Sequence, residues 1–344
     1  MIKLLIESLE FLRSVAPLLT SVAILTLLCI LLSKSIRKNS TIWYIVFSIP
    51  FILVSLPSVM KLFGVEMSGF VTIPFLGEIV RDYIHMGTLG HPLLIIIMYM
   101  GALDPKVTFV KKLLSIRKEL SIICGFPVLA HSLIRVMNNL PGSFQFFANK
   151  AEYLEKTKVV SELGAGISSF SFILGIIMLI IFIPLWVTSF DWVRKYMTYR
   201  TWKKVQTWAY VLYATLFIHA IGIQTGGMLN PRGGQAPRAA VEAVALNQPA
   251  GAQSQTTLPA STEARASRNS ENTRPAAGNP QRGAAARPTS GGRTPTWGFA
   301  DIKVSAQTKR YISIASLILI YGSYLILRIR KAKKDAARRT ERRA

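Results

Sequence analysis

Seven stretches of this chain carry no charged residue and are dense in large apolar side chains. They are Ser14–Ser33, Thr41–Met60, Met86–Leu103, Leu120–Ile134, Leu163–Phe190, Val205–Asn230 and Tyr311–Leu327. A helix crosses a ~30 Å hydrocarbon core with ~17–25 residues. Six of the runs are that long, and the shorter run between Glu119 and Arg135 crosses if those two end residues snorkel to the interfaces. Lipid admits only helices or closed barrels, because every backbone polar group must find a partner inside the chain, and no run alternates with period two. The expected fold is all-α: a polytopic integral membrane helix bundle of about seven transmembrane helices. The first run is read as a retained helix rather than a signal peptide, because Glu7 and Glu10 precede it and no small-x-small cleavage site follows.

The loops set an expected orientation. Residues 34–40 hold Lys34, Arg37 and Lys38; residues 105–118 hold Lys106, Lys111, Lys112, Arg117 and Lys118; residues 191–204 hold Arg194, Lys195, Arg200, Lys203 and Lys204. Nine Lys or Arg follow Leu327. These segments alternate with weakly charged loops at 61–85 and 135–162, so the positive-inside bias puts the amino terminus outside and the carboxy terminus in the cytoplasm; Lys309 and Arg310 run against it. The net charge of +24 is thereby assigned to topology anchors and not to nucleic-acid binding; membrane lipid is the expected surrounding, and the basic tail is read as an anchor first, with contact to anionic lipid as the alternative.

Residues 229–306 differ in kind. They are rich in Ala, Pro, Gly, Ser, Thr and Gln, their basic residues are all Arg except Lys303, and large apolar residues are too few to bury a core. They are read as a disordered external linker. The chain divides into an extra amino-terminal helix with its loop (1–40), a membrane domain (41–228), the linker (229–306), a final helix (307–328) and a basic tail (329–344).

Cys29 and Cys124 both fall inside apolar runs, so neither is expected in a disulfide or a zinc site. No Gly-rich dinucleotide fingerprint follows a strand pattern, and the one long polar segment is low-complexity, so the chain lacks a flavin or nicotinamide domain of its own. The histidines are His85, His91, His131 and His219. His85 and His91 are expected at the outer surface. His131 stands as far beyond Lys118 as His219 stands beyond Gln206. At 1.5 Å per residue, each is ~20 Å from the cytoplasmic end of its helix. The two helices run parallel, so both imidazoles share one depth in the outer half of the membrane. Ionisable groups there are costly and by default functional. Two facing neutral imidazoles suit the axial positions of a six-coordinate b-type haem, a centre that carries electrons because no coordination position stays open.

Two segments resemble the ferric reductase-like transmembrane domain family. "SIRKELSIICGFPVLAH" resembles its arginine-then-histidine helix, and "PLWVTSFDWVRKYMTYRTWKKVQTWAYVLYATLFIH" its later part. Within that family the chain is similar to the haem-binding membrane subunit of bacterial periplasmic methionine sulfoxide reductase systems. The resemblance spans residues 41–228 and a final helix displaced by the linker. It implies His131 and His219 as haem-iron ligands and Arg117 as the family's arginine at the cytoplasmic end. A further family histidine falls on Gln206, a departure that removes an iron ligand. It leaves Arg117 and Gln206 to line a pocket for a flavin such as FMN, a quinone or a haem propionate. An ideal helix brings Arg117 and His131 nearly to one face but not Gln206 and His219, unless that helix is kinked.

The function expected on this basis is an oxidoreductase electron-transfer component. It would carry electrons through haem b from a cytoplasmic flavin reductase or quinol to an external acceptor, either a redox protein or ferric ion. The cell membrane of a prokaryote is the expected location. Two other classes stay open: a transporter or channel without haem, and a scaffold that kept the fold and lost electron transfer. The first would usually show internal repeats or mid-depth acidic residues; no repeat is visible and no Asp or Glu lies inside any of the seven runs.

Overall fold

A computed structural model describes residues 2–65, 67, 87–157, 159–230 and 304–341. His85, nearly all of the 229–306 linker and the last three residues lie outside the described residues. All described elements are helices. In chain order they are α1 (Ile2–Val15), α2 (Pro17–Lys38), α3 (Ser40–Leu62), α4 (Gly90–Ala102), α5 (Thr108–Leu114), α6 (Arg117–Ala148), α7 (Lys150–Thr157), α8 (Glu162–Val187), α9 (Asp191–Arg194), α10 (Tyr199–Thr207), α11 (Ala209–Leu229) and α12 (Ala306–Glu341).

Six spans are long and apolar enough to cross a membrane: α2, α3, α6, α8, the combined 199–229 stretch and α12. The remaining run, Met86–Leu103, yields only α4, 13 residues long, about 20 Å of helix. Its apolar run opens at Met86, but Gly87 takes a left-handed φ of +69°, so the helix begins only at Gly90. Absence of charge marks what lipid tolerates; helix start depends on backbone geometry, which that pattern does not carry. The sequence reading also passed over α1, a helix of mixed charge that carries Glu7, Glu10 and Arg13.

The surface suits lipid as its solvent. Leu27, Leu31, Ile42, Ile52, Ile180 and Leu319 are all more than half exposed, an arrangement that water penalises and lipid does not. Helices therefore associate through close packing rather than the hydrophobic effect, and small residues mark the contacts. The most extensive contact joins α8 and α11. There a Cβ on Gly222 would collide with Ser171 Oγ, and one on Gly226 with Ser168 Oγ. On the other side α8 packs along α6, with Trp186 lying across Gly125 and its Nε1–H donating to the Ile122 carbonyl at 3.0 Å. So α6 and α11, the helices of the two candidate ligands, both pack along α8 and make little contact with each other. Across the remaining side stand α4, packed on α6, and α12, packed on α11 and α4.

Five prolines sit inside helices: Pro50, Pro57, Pro127, Pro141 and Pro184. Each removes a backbone donor, a loss that neighbouring helices and Ser or Thr side chains make good in membrane proteins. Thr188 Oγ1 bonds in this region, donating to the Pro184 carbonyl at 2.7 Å.

Candidate functional site

His219 stands on α11, about midway between Ala209 and Leu229. Its Nδ1 lies 2.6 Å from the Ser171 carbonyl oxygen on α8. A carbonyl oxygen only accepts, so Nδ1 carries the proton and donates. That fixes the tautomer and leaves Nε2 with its lone pair, the form a metal ligand needs. The ring also rests on Gly175, where a Cβ would come within 3.4 Å of Cε1. His131 on α6 is placed likewise: its ring lies against Gly87, 3.4 Å from where a Cβ would stand. Each imidazole therefore has a glycine beneath it, and the left-handed φ of Gly87 disfavours ordinary residues there as well.

His91 corrects an expectation. The sequence placed it at the outer surface; the structure places it inside. α4 is short, so its second residue lies level with Tyr321, well along α12. His91 Nε2 and Tyr321 Oη are 3.0 Å apart, and the Tyr321 ring packs on Phe217 with centroids 5.0 Å apart. His91 also lies within electrostatic range of both His131 and His219. Three imidazoles, on α4, α6 and α11, thus lie near one another, and the region between them is the histidine compartment of the bundle. Among the described residues no three His, Cys, Asp or Glu side chains group as ligands of a bare ion; a haem would need only two imidazoles, since the macrocycle supplies the other four nitrogens. The donor chemistry, the fixed tautomer of His219 and the two glycine cradles all fit that group.

Arg117 and Gln206, the other sequence candidates, meet at the basic end of the bundle. Both line a cavity of about 510 Å³. Its wall includes Lys118, Arg194 and Lys203, the rings of Trp186, Trp202, Tyr213 and Tyr324, and Cys124. Lys118 is engaged with Asp191 at 2.8 Å. Arg194 lies over the Trp202 ring, 4.7 Å from its centroid. With Arg117 and Lys203 beside it, this end of the cavity is cationic. Gln206 turns its amide toward the end of α8: Nε2 donates to Thr188 Oγ1 at 3.1 Å and to the Leu185 carbonyl at 3.3 Å. Trp202 Nε1 joins it, donating to the Thr188 carbonyl at 3.2 Å. Between them Gln206 and Trp202 serve the Leu185 and Thr188 carbonyls at the end of α8, where helical partners run out. A separate apolar hollow of about 640 Å³, lined by Phe146, Phe170, Phe217 and Gly222 among others, carries none of these groups.

The helix holding Gln206 and His219 breaks at Trp208, between α10 and α11. Its backbone N–H bonds back to the Val205 carbonyl at 3.0 Å, a tighter turn than the α-helical one. The helix is thus interrupted between Gln206 and His219.

The fold and these compartments define a multi-pass helical membrane protein with three half-buried histidines and, at its basic end, a cationic cavity. Residues 86–217 match the family described as ferric reductase like transmembrane component. The matched segment takes in His91, Arg117, His131 and Gln206 and stops just short of His219. No match was found among curated proteins or solved structures.

Proposed function

We propose that the chain is a membrane electron carrier whose cofactor is one haem b, held by His131 and His219. The observation that carries this reading is the hydrogen bond from His219 Nδ1 to the Ser171 carbonyl, which holds Nε2 ready as a ligand beside a second imidazole. Haem held there by His131 and His219 would supply one-electron chemistry. The protein's part is to fix the two rings, through Gly175, Gly87 and Ser171, and to keep the compartment dry.

The basic end, read as the cytoplasmic face, is the donor side. The cavity there, with Arg117, Arg194 and Lys203 at its wall, suits a flavin such as FMN, or a quinone, delivered by a flavin reductase or the quinol pool. The acceptor, a redox protein or ferric ion, stands on the opposite, external side. Gln206, its amide committed to α8, gives no iron ligand at the inner position, which favours a single haem. This organisation resembles the haem-binding membrane subunit of bacterial methionine sulfoxide reductase systems and implies a prokaryotic plasma membrane.

The test is the visible spectrum of the purified full-length protein, air-oxidised and dithionite-reduced. A Soret band with sharp reduced α and β bands is expected. His131→Ala and His219→Ala each abolish the low-spin signal, and His91→Ala leaves it. A colourless protein from haem-replete cells, or a normal low-spin spectrum in His131→Ala, overturns the assignment.

A further inference from the structure

In the wall of the cavity at the basic end, the neutral polar side chains are almost all engaged. Ser121, Thr188, Ser189 and Thr207 each donate to a backbone carbonyl three or four residues back. Trp186 donates to the Ile122 carbonyl, and Gln206 to Leu185 and Thr188. Two hydroxyls are left over: Tyr213 on α11 and Tyr324 on α12. Their rings meet edge to face, with centroids 6.3 Å apart, and both line the cavity. Neither hydroxyl makes a hydrogen bond among the described residues. No enclosed side-chain oxygen there lacks a partner, so both oxygens face open space, and the space that both rings border is the cavity. Their neighbours on the same pair of helices and on α4 behave otherwise. Tyr99 Oη donates to the Ile320 carbonyl, Tyr210 Oη accepts from Arg328, and Tyr321 Oη pairs with His91.

Both phenols stand inside charge-free runs, where a polar group without a partner is costly. Two such hydroxyls side by side on different helices mark a place for an acceptor oxygen. Tyr213 is also the lining residue of α11 nearest His219, six residues before it, or about 9 Å along the helix. The hydroxyls therefore stand toward the histidine compartment, and Arg117, Arg194 and Lys203 toward the basic side. We infer that Tyr213 and Tyr324 are binding residues of the cavity, their hydroxyls donating to a carbonyl oxygen of a planar redox ring. A quinone headgroup and a flavin isoalloxazine share that feature. This rests on the donor-side reading of the cavity given above. It sets the ring at the end nearest His219. The cations sort the two sources, since they meet a phosphate on FMN and nothing comparable on a quinone headgroup.

Full-length protein loaded with haem and purified in detergent is titrated calorimetrically with FMN and with menadione, each against a detergent blank. Saturable binding of one of them is expected, and the one that binds identifies the source. Tyr213→Phe and Tyr324→Phe, which remove only the hydroxyls, each weaken that binding by about three- to tenfold, and the double variant weakens it further. The low-spin haem spectrum stays as in the wild type and shows that the bundle is intact. In the wild type, the infrared carbonyl band of the bound ring lies at lower frequency than in detergent alone, and it moves back in the double variant. Undiminished affinity in the double variant overturns the proposal, as does an unshifted carbonyl band in the wild type, which decides if the variants do not fold. Binding of neither probe overturns both the proposal and the donor-side reading of the cavity, while a low-spin spectrum leaves the two-histidine site standing.

Discussion

The bed of the His219 ring is a residue without a side chain. Gly175 lies one turn beyond Ser171 on α8, directly under the His219 ring. A methyl at 3.4 Å from Cε1 is ordinary contact, so Gly175→Ala is expected to bind haem nearly as the wild type does. Gly175→Val adds branches that have no space, tilts the imidazole and breaks its bond to the Ser171 carbonyl. Loss of such a supporting contact costs about 10–100-fold in metal affinity. Haem titration, with gel filtration to show that the bundle persists, separates the two variants; equal affinity would mean that the ring does not rely on its bed. None of this was legible from the chain. The depth of His131 and His219 could be counted from flanking charges, because rise per residue is constant. The glycine beneath each ring comes from another segment, and pairings between segments leave no local pattern.

At the scale of the element, the break at Trp208 is the main instance of a conflict that the sequence disclosed but could not resolve. The separation of Gln206 and His219 turns an ideal helix well past a whole number of turns, so the two could not share a face. The α-helix is interrupted between Thr207 and Ala209, and Gln206 lines the cavity at the basic end, where His219 does not reach. Gln206→His should put one imidazole in that wall. The described lining holds no other histidine, so any haem gained there lacks the second imidazole of the His131–His219 site. The expected outcome is haem per chain rising from one towards two by pyridine haemochrome, with the added fraction high-spin. No rise above one would mean that the cavity rejects the macrocycle, in keeping with a flavin or quinone occupant. α4 is the element that sequence misjudged: its charge-free run satisfied the length rule, but the left-handed turn at Gly87 cut the helix short and carried His91 inward. That displacement brought a third imidazole into the compartment.

For the whole molecule, the all-helical membrane fold followed from charge-free runs alone, and six of the runs reappear as spans. What the runs could not show is which helices touch. α12 lies beyond the segment that matches the family, but it contributes to both compartments: Tyr321 at His91, Tyr324 in the wall of the cavity. It is held along its length. Tyr99 Oη donates to the Ile320 carbonyl at 2.7 Å, Lys331 Nζ to the Gly101 carbonyl at 2.9 Å, and Arg328 Nη2 to Tyr210 Oη at 2.5 Å. With α12 docked by its own contacts, most of the 229–306 linker is expected to be dispensable. Deleting residues 240–295 should leave membrane insertion and haem content unchanged, read by fractionation and by haem per protein. Failure to accumulate folded protein would show that the removed segment packs against the bundle.

The position of α12 in the chain also has a consequence in time. The whole stretch 230–305 lies between Leu229 and Ala306. A ribosome adding ~5–20 residues per second takes roughly 4–15 s to cover that distance. Through that interval α4 and α11 are already made, and Tyr321 does not yet exist to cover His91 and Phe217. The histidine compartment is synthesised with its side door open, and α12, made later, shuts it.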